Sequence, residues 1–133
     1  MPTTVHETIA EVEAILPVHA APQGEALDPR WQAIIRIADF IPEEPEAVWA
    51  FIQRWGIHED EDLRAAIATV LLEHLLEHHF ADFFPRVETA AEERALFADT
   101  FRRCSKFGQS KQEGNSERFD GLQKKCRIAR KSS

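Results

Sequence analysis

The chain has 133 residues, of which 44% are hydrophobic, which suffices for one compact core but not for two ordinary domains. No apolar stretch reaches the roughly 18 residues of a membrane-spanning helix, and no basic residue precedes Arg30, as a secretory signal would require. The net charge of −7 argues against general nucleic-acid binding, because phosphate contacts need clustered lysine and arginine side chains. The chain has only two cysteines, which we expect to be reduced thiols. We therefore expect a soluble, cytoplasmic protein without membrane contact.

The first helical signal starts at Thr4, which forms a Thr-x-x-Glu capping box with Glu7. Apolar residues then recur at helical spacing until Pro17, which ends the pattern. Residues 17–27 contain two prolines and a glycine, which is typical of a connector. The sequence thus predicts one short N-terminal helix followed by a loop.

Two further helices are predicted between residues 28 and 56. Asp28 and Pro29 form an N-cap and first-turn pair, and the apolar stripe that follows extends to about Ile41. Pro45 is suited to the first turn of the third helix, and Gly56 to its C-terminal stop. The short connection between these helices predicts that they pack as antiparallel neighbours.

A fourth helix is predicted to start at Asp60 or Asp62 and to continue to about His79. It is apolar on nearly all sides, which indicates a central position in the fold. The next residues predict an aromatic corner, formed by Phe80, Phe83, Phe84 and Pro85. A second capping box, Thr89 with Glu92, predicts a fifth helix that Gly108 ends. With no strand pattern, the fold class is all-α, a bundle of about five helices.

The charge is distributed unevenly. Residues 111–133 contain seven basic and three acidic side chains, a net of +4, which leaves −11 on residues 1–110. We expect a single helical domain over residues 1–108 and a basic, partly flexible tail over 109–133. In the tail Gly121 weakens the pattern of a sixth helix, and Cys126 is expected to be exposed, whereas Cys104 lies on an apolar stripe. Salt-sensitive self-association through this tail is one hypothesis.

Residues 45–76 resemble a HEAT-type repeat, in which two antiparallel helices flank a short turn. The resemblance is carried by Asp62-Leu63-Arg64-x-Ala66-x-Ala68-x-x-Leu71 at the start of the second helix. It implies that Asp62 and Arg64 hold the turn, that the alanines allow close helix packing, and that the pair lies at the centre of the bundle. Stacked repeats of this family usually present a surface to protein partners.

The string His74-Leu-Leu-Glu77-His78 matches the H-x-x-E-H pattern of inverted zinc peptidases. Two histidines four residues apart share one helix face and can bind one zinc ion, while the glutamate acts as a base. Alternatively, the histidines are partly buried on the side of the fourth helix's apolar residues and pair with carboxylates such as Glu73 and Glu77. The first interpretation predicts a small metal-binding protein or metal-dependent hydrolase, and the second requires no cofactor.

The acidic side chains around the predicted helix pair favour a different function. They define a surface that fits a basic protein partner, and Trp49 beside them is an aromatic residue of the kind enriched in interfaces. We therefore expect a non-enzymatic interaction module, an adaptor or an inhibitor of the immunity-protein type, with no catalytic residue. The expected partner-binding residues are Trp49, Glu59, Asp60 and Glu61, with Glu43 and Glu44 on the same surface.

Overall fold

The computed structural model describes residues 4–17 and 29–132, with side chains up to Arg127. These residues form helices and turns and no strand, which confirms the all-α prediction. The helices are α1 (Val5–Ile15), α2 (Pro29–Ala38), α3 (Pro45–Trp55), α4 (Glu61–Ala66), α5 (Glu73–Glu93), α6 (Ala95–Arg102) and α7 (Asn115–Ser132). A π-helical turn, Ile67–Leu72, joins α4 to α5, and a 3-10 turn, Gly108–Lys111, precedes α7. Most of the predicted connector, residues 18–27, and the predicted N-cap Asp28 lie outside the described residues.

Several helix ends follow local signals in the sequence. The side chain of Thr4 accepts a hydrogen bond of 3.1 Å from the amide of Glu7, as the capping box predicts. Pro45 is the first residue of α3, and Gly56 is its C-cap. Asp60 is the N-cap of α4, where its carboxylate accepts hydrogen bonds from two amides of the first turn. The starts of α1, α3 and α4 are therefore confirmed.

The continuous segment from α4 through the π-helical turn into α5 lies at the centre of the fold. The turn contacts α2, α3 and α6 as well as the helices on either side of it. Thr69 and Val70 of the turn are partly exposed, so one side of it reaches the surface, but its other residues are buried, and the central position agrees with the sequence-based prediction. The segment buries Leu63, Ile67, Leu71, Leu72, Leu75 and Leu76 to 1% exposure or less.

The predicted aromatic corner at residues 80–85 is wrong. The chain breaks helical geometry one residue earlier, at His79, whose φ is −139° and ψ is 45°. From there α5 continues through Pro85 to Glu93, and Thr89 is no cap, because its hydroxyl donates to the Pro85 carbonyl oxygen at 3.2 Å inside the helix. α6 is a separate short helix that ends at Arg102, before Gly108.

Residues 115–132 form a helix in spite of Gly121, whose Cα faces open space. α7 packs on α6 and on the second half of α5, where the Phe119 ring lies 4.9 Å from that of Phe101 and 6.4 Å from that of Phe84. The expected exposure of Cys126 is wrong, since it lies on the packed face of this helix and is 5% exposed. No helix among the described residues is long and apolar enough to span a bilayer.

Candidate partner-binding groove

α3 and the second half of α5 lie side by side and run in the same direction. An ion pair joins Glu46 to Arg86 near one end, and Gln53 and Glu93 line the same hollow further along. Trp49 forms the floor between them and is 5% exposed. The sequence-predicted partner-binding tryptophan is thus a largely buried residue that presents one edge to a groove.

The groove has a substantial volume. Its main hollow measures about 380 Å³ and adjoins a second hollow of about 200 Å³. Gln53, Ala90 and Glu93 line both, so the two form one continuous depression along α3. Ligand pockets typically start at about 300 Å³. The groove is therefore large enough to accept side chains of a partner.

Arg86 closes one end of the groove. Its guanidinium donates two hydrogen bonds to the Glu46 carboxylate, at 2.6 and 2.9 Å, and lies 4.6 Å from the centre of the Phe83 ring. The hydrogen bond from Arg86 lowers the pKa of Glu46. Because this arginine is already paired, it contributes little free positive charge to its end of the groove.

Further carboxylates lie on the chain segments next to this end. Asp39, Glu43 and Glu44 belong to the α2–α3 connection and are exposed, and no described cation forms an ion pair with them. Asp82 lies one helical turn before Arg86 and is also exposed. The α2–α3 connection is held against α5 by a contact of 2.9 Å between the imidazole Nε2 of His79 and the Ile41 carbonyl oxygen. We call Asp39, Glu43, Glu44 and Asp82 the acidic end.

The acidic residues at the turn between α3 and α4 have internal partners. Arg30, which is 5% exposed, donates to Asp60 at 2.8 Å, and this hydrogen bond lowers the pKa of Asp60. Arg103 pairs with Glu61 and likewise lowers its pKa. Glu59 is exposed and no described cation pairs with its side chain. Of the three carboxylates predicted to bind a partner, only Glu59 is therefore unpaired.

Arg64 holds the same turn in place. Its guanidinium donates to the carbonyl oxygens of His58 and Glu59, at 2.8 and 3.0 Å, and to Asp99. Asp62 instead accepts hydrogen bonds from Arg30 and from the indole of Trp31. The HEAT resemblance stays a prediction, although Arg64 makes the contacts that it implies.

Asp99 is the centre of an arginine cluster on α6. Burial tends to raise the pKa of its carboxyl group, but hydrogen bonds from Arg102, Arg64 and Arg103 outweigh this and lower it to about 2. The side chains of Asp99 and Arg64 are only 12% and 9% exposed. Its central carboxylate is fully paired and has low exposure, so the cluster stabilises the fold and offers little to a partner.

The H-x-x-E-H string forms a carboxylate–histidine cluster. Oε1 of Glu77 lies 2.8 Å from Nδ1 of His74 and 3.6 Å from Nε2 of His78, and His74 also stacks on Phe107. His74 is partly buried, as one interpretation expected, whereas His78 is exposed, so partial burial is wrong for His78. In the described part of the chain no group of three His, Cys, Asp or Glu side chains could hold a metal ion.

Comparison of the chain with protein-family models, curated proteins and solved structures gives no match. Among the described residues, the groove over Trp49 with its acidic end is the arrangement that best fits a binding role. It combines an apolar floor, an open volume and unpaired charge.

A contact that the sequence did not predict bridges the break in α5. The Gln109 side chain accepts a hydrogen bond from the Phe80 amide and donates one to the His78 carbonyl oxygen, both at 2.8 Å. Gly108 makes this approach possible, since its φ is +50° and a Cβ there would lie 2.6 Å from Cγ of Glu77. No local signal marks a glutamine for this role, because its partners are 29 and 31 residues away.

Proposed function

We propose that this chain is a non-enzymatic protein-interaction module of the adaptor or inhibitor type, which acts in the cytoplasm and receives a basic segment of a partner protein. One observation carries the proposal: exposed carboxylates lie on the segments next to the Arg86 end of a groove whose floor is Trp49, and those of the α2–α3 connection have no described ion-pair partner. A partner would place an apolar side chain over the tryptophan and basic side chains at the acidic end.

The charges at this end favour a basic partner over an acidic one. Asp39, Glu43, Glu44 and Asp82 are exposed beside the neutral pair of Arg86 and Glu46. Carboxylates concentrated beside a concave surface attract cations and speed their association. The turn at residues 59–62 is less suited to this role, because Arg30 and Arg103 already pair with two of its carboxylates.

The proposal is tested by affinity capture with the immobilised chain from a lysate of the organism that encodes it. Glu43→Gln/Glu44→Gln removes charge at the acidic end, and Gln53→Trp fills the groove from an exposed position. Glu113→Gln/Glu117→Gln is the matched control, because it removes two exposed carboxylates elsewhere.

We expect wild type and the control to retain the same basic protein, and both groove variants to retain about tenfold less of it. In Glu43→Gln/Glu44→Gln two exposed charge contacts are lost, each of which contributes up to about 1 kcal/mol. In Gln53→Trp the indole occupies the space that a partner side chain would fill. Equal retention by wild type, Glu43→Gln/Glu44→Gln and Gln53→Trp would contradict the proposal. Greater loss in Glu59→Gln than in Glu43→Gln/Glu44→Gln would move the binding surface to the α3–α4 turn.

A further inference from the structure

The C-terminal half of α7 is rich in basic residues. Residues 124–132 contain five lysine and arginine residues and no acidic residue. Lys124, Lys125 and Arg127 are exposed, and no described carboxylate forms an ion pair with them. In the first half of the same helix, by contrast, Arg118 pairs with Glu88 at 2.9 Å and Asp120 pairs with Lys106 at 2.9 Å. Among the described side chains of α7, the unpaired positive charge therefore lies at residues 124–127.

This basic half cannot reach the acidic end of its own chain. α7 runs parallel to the second half of α5, since Arg118 contacts Glu88 and Cys126 lies in one small hollow with Ala91 and Glu92. The basic half thus lies beside the C-terminal end of α5, whereas Asp82 lies near its break. The ten residues from Asp82 to Glu92 span about 15 Å at 1.5 Å per residue. The basic half and the acidic end are consequently separated by about 15 Å along α5.

We propose that the basic half of α7 from one copy docks at the acidic end of the α3–α5 groove of a second copy, which gives head-to-tail association. This inference rests on the proposed function, because it names the occupant of the same groove. The two surfaces differ, so the contact is heterologous and leaves one free groove and one free helix on every pair.

The charge distribution favours a second copy of this chain over nucleic acid as the binding partner of the basic half of α7. A polyphosphate that approaches α7 also meets the field of residues 1–110, which carry a net charge of −11. A second copy avoids this repulsion by placing the exposed carboxylates of its acidic end directly against the basic helix.

The test measures mass by sedimentation velocity of the full chain from 5 to 200 µM in 50 mM and 500 mM NaCl. One variant, Lys124→Gln/Lys125→Gln/Arg127→Gln, removes three of the five positive charges of the helix segment, and another, Glu43→Gln/Glu44→Gln, removes two of the four negative charges of the acidic end. All five positions are exposed, so both variants are expected to fold, which circular dichroism checks. Glu113→Gln/Glu117→Gln is again the matched control.

In 50 mM NaCl we expect the mass of wild type and control to rise with concentration beyond that of a dimer, and to fall in 500 mM NaCl, where charges are screened. Each neutralised variant alone is expected to associate about tenfold more weakly. The decisive sample mixes the two variants, because one retains an intact groove and the other an intact helix. Head-to-tail docking predicts a heterodimer in the mixture and no larger species.

Wild type that stays monomeric at 200 µM in 50 mM NaCl would overturn the inference, as would a mixture in which no heterodimer forms. Association that only the helix variant abolishes would assign the contact to another surface and would also overturn it. Affinity capture separates the two proposals. A monomeric wild type that still retains a basic protein through Glu43 and Glu44 refutes self-docking and leaves the proposed function intact.

Discussion

The side chain of Gln109 should contribute measurably to the stability of the whole domain. It satisfies two backbone groups that the break at His79 leaves without helical partners, the partly buried Phe80 amide and the more exposed His78 carbonyl. Loss of a partner for a partly buried amide costs about 1 to 2 kcal/mol, whereas water can replace most of the bond to an exposed carbonyl. We therefore expect Gln109→Ala to lower the free energy of unfolding by about 2 kcal/mol.

Urea unfolding followed by circular dichroism measures this free energy, and hydrogen exchange of the Phe80 amide reports on the bond itself. In Gln109→Ala the Phe80 amide should exchange faster, by about tenfold or more. Gln112→Ala is the control, because Gln112 is an exposed glutamine in the same segment whose side chain makes no described hydrogen bond. If both variants unfolded within about 0.5 kcal/mol of wild type and Phe80 exchange were unchanged, the bridging role would be refuted.

Three further measurements test features of the fold and site. The pKa of Asp99 is lowered from 3.8 to about 2, so its ionised form should contribute about 2 kcal/mol above pH 4 that is lost as the pH falls toward 2. Urea unfolding at pH 7, 4 and 2.5 measures the difference in free energy of unfolding between wild type and Asp99→Asn. This difference should decrease as the pH is lowered, and a difference that does not change with pH would contradict the reasoning. Burial raises the pKa of Cys104 and Cys126, so both thiols should react with a disulfide reagent at least about tenfold more slowly in the native protein than in urea. A thiol that reacts rapidly in the native protein would contradict the burial of Cys104 and Cys126. Elemental analysis of untagged protein, purified without chelator, should find far less than one zinc per chain in both wild type and His74→Ala/His78→Ala, and one zinc lost in the variant would support the hydrolase alternative.

The helix starts could be predicted because their causes lie within a few residues. Thr4 and Asp60 satisfy amides of the first turn directly after them, and Pro45 requires no amide partner of its own. The central position of the α4–α5 segment was equally predictable, since a helix with apolar residues on nearly all sides must bury most of its surface.

The position of the break in α5 was predicted, but the course of the chain beyond it was not. The fourth helix was expected to end at about His79, and His79 does adopt a non-helical conformation. The local pattern then predicted a corner at residues 80–85, whereas helical geometry resumes there and continues through Pro85. Gln109 from a distant turn bonds to the Phe80 amide and the His78 carbonyl oxygen beside the break, and no local signal in the sequence indicates this contact.

The candidate groove was predicted only in part. Trp49 was identified by residue type and lies at its floor, but the carboxylates of Asp60 and Glu61 were expected to be available. Their partners, Arg30 and Arg103, are 30 and 42 residues away, and their pairing follows from the packing of α2 and α6 on the turn. Charge counted along the sequence cannot separate paired from unpaired carboxylates.

The π-helical turn at Ile67–Leu72 makes the length of the central segment more critical than its composition. Deletion of one residue there would allow regular α-helical hydrogen bonding, but it would rotate every following residue by about 100° around the axis. Leu75 and Leu76, both fully buried, would turn away from the core, and the carboxylate of Glu73 would leave the Ser105 amide from which it accepts a hydrogen bond at 2.8 Å. Apolar substitutions at residues 67–72 keep the residues of α5 at the same rotation around the helix axis, whereas insertion or deletion of one residue changes that rotation.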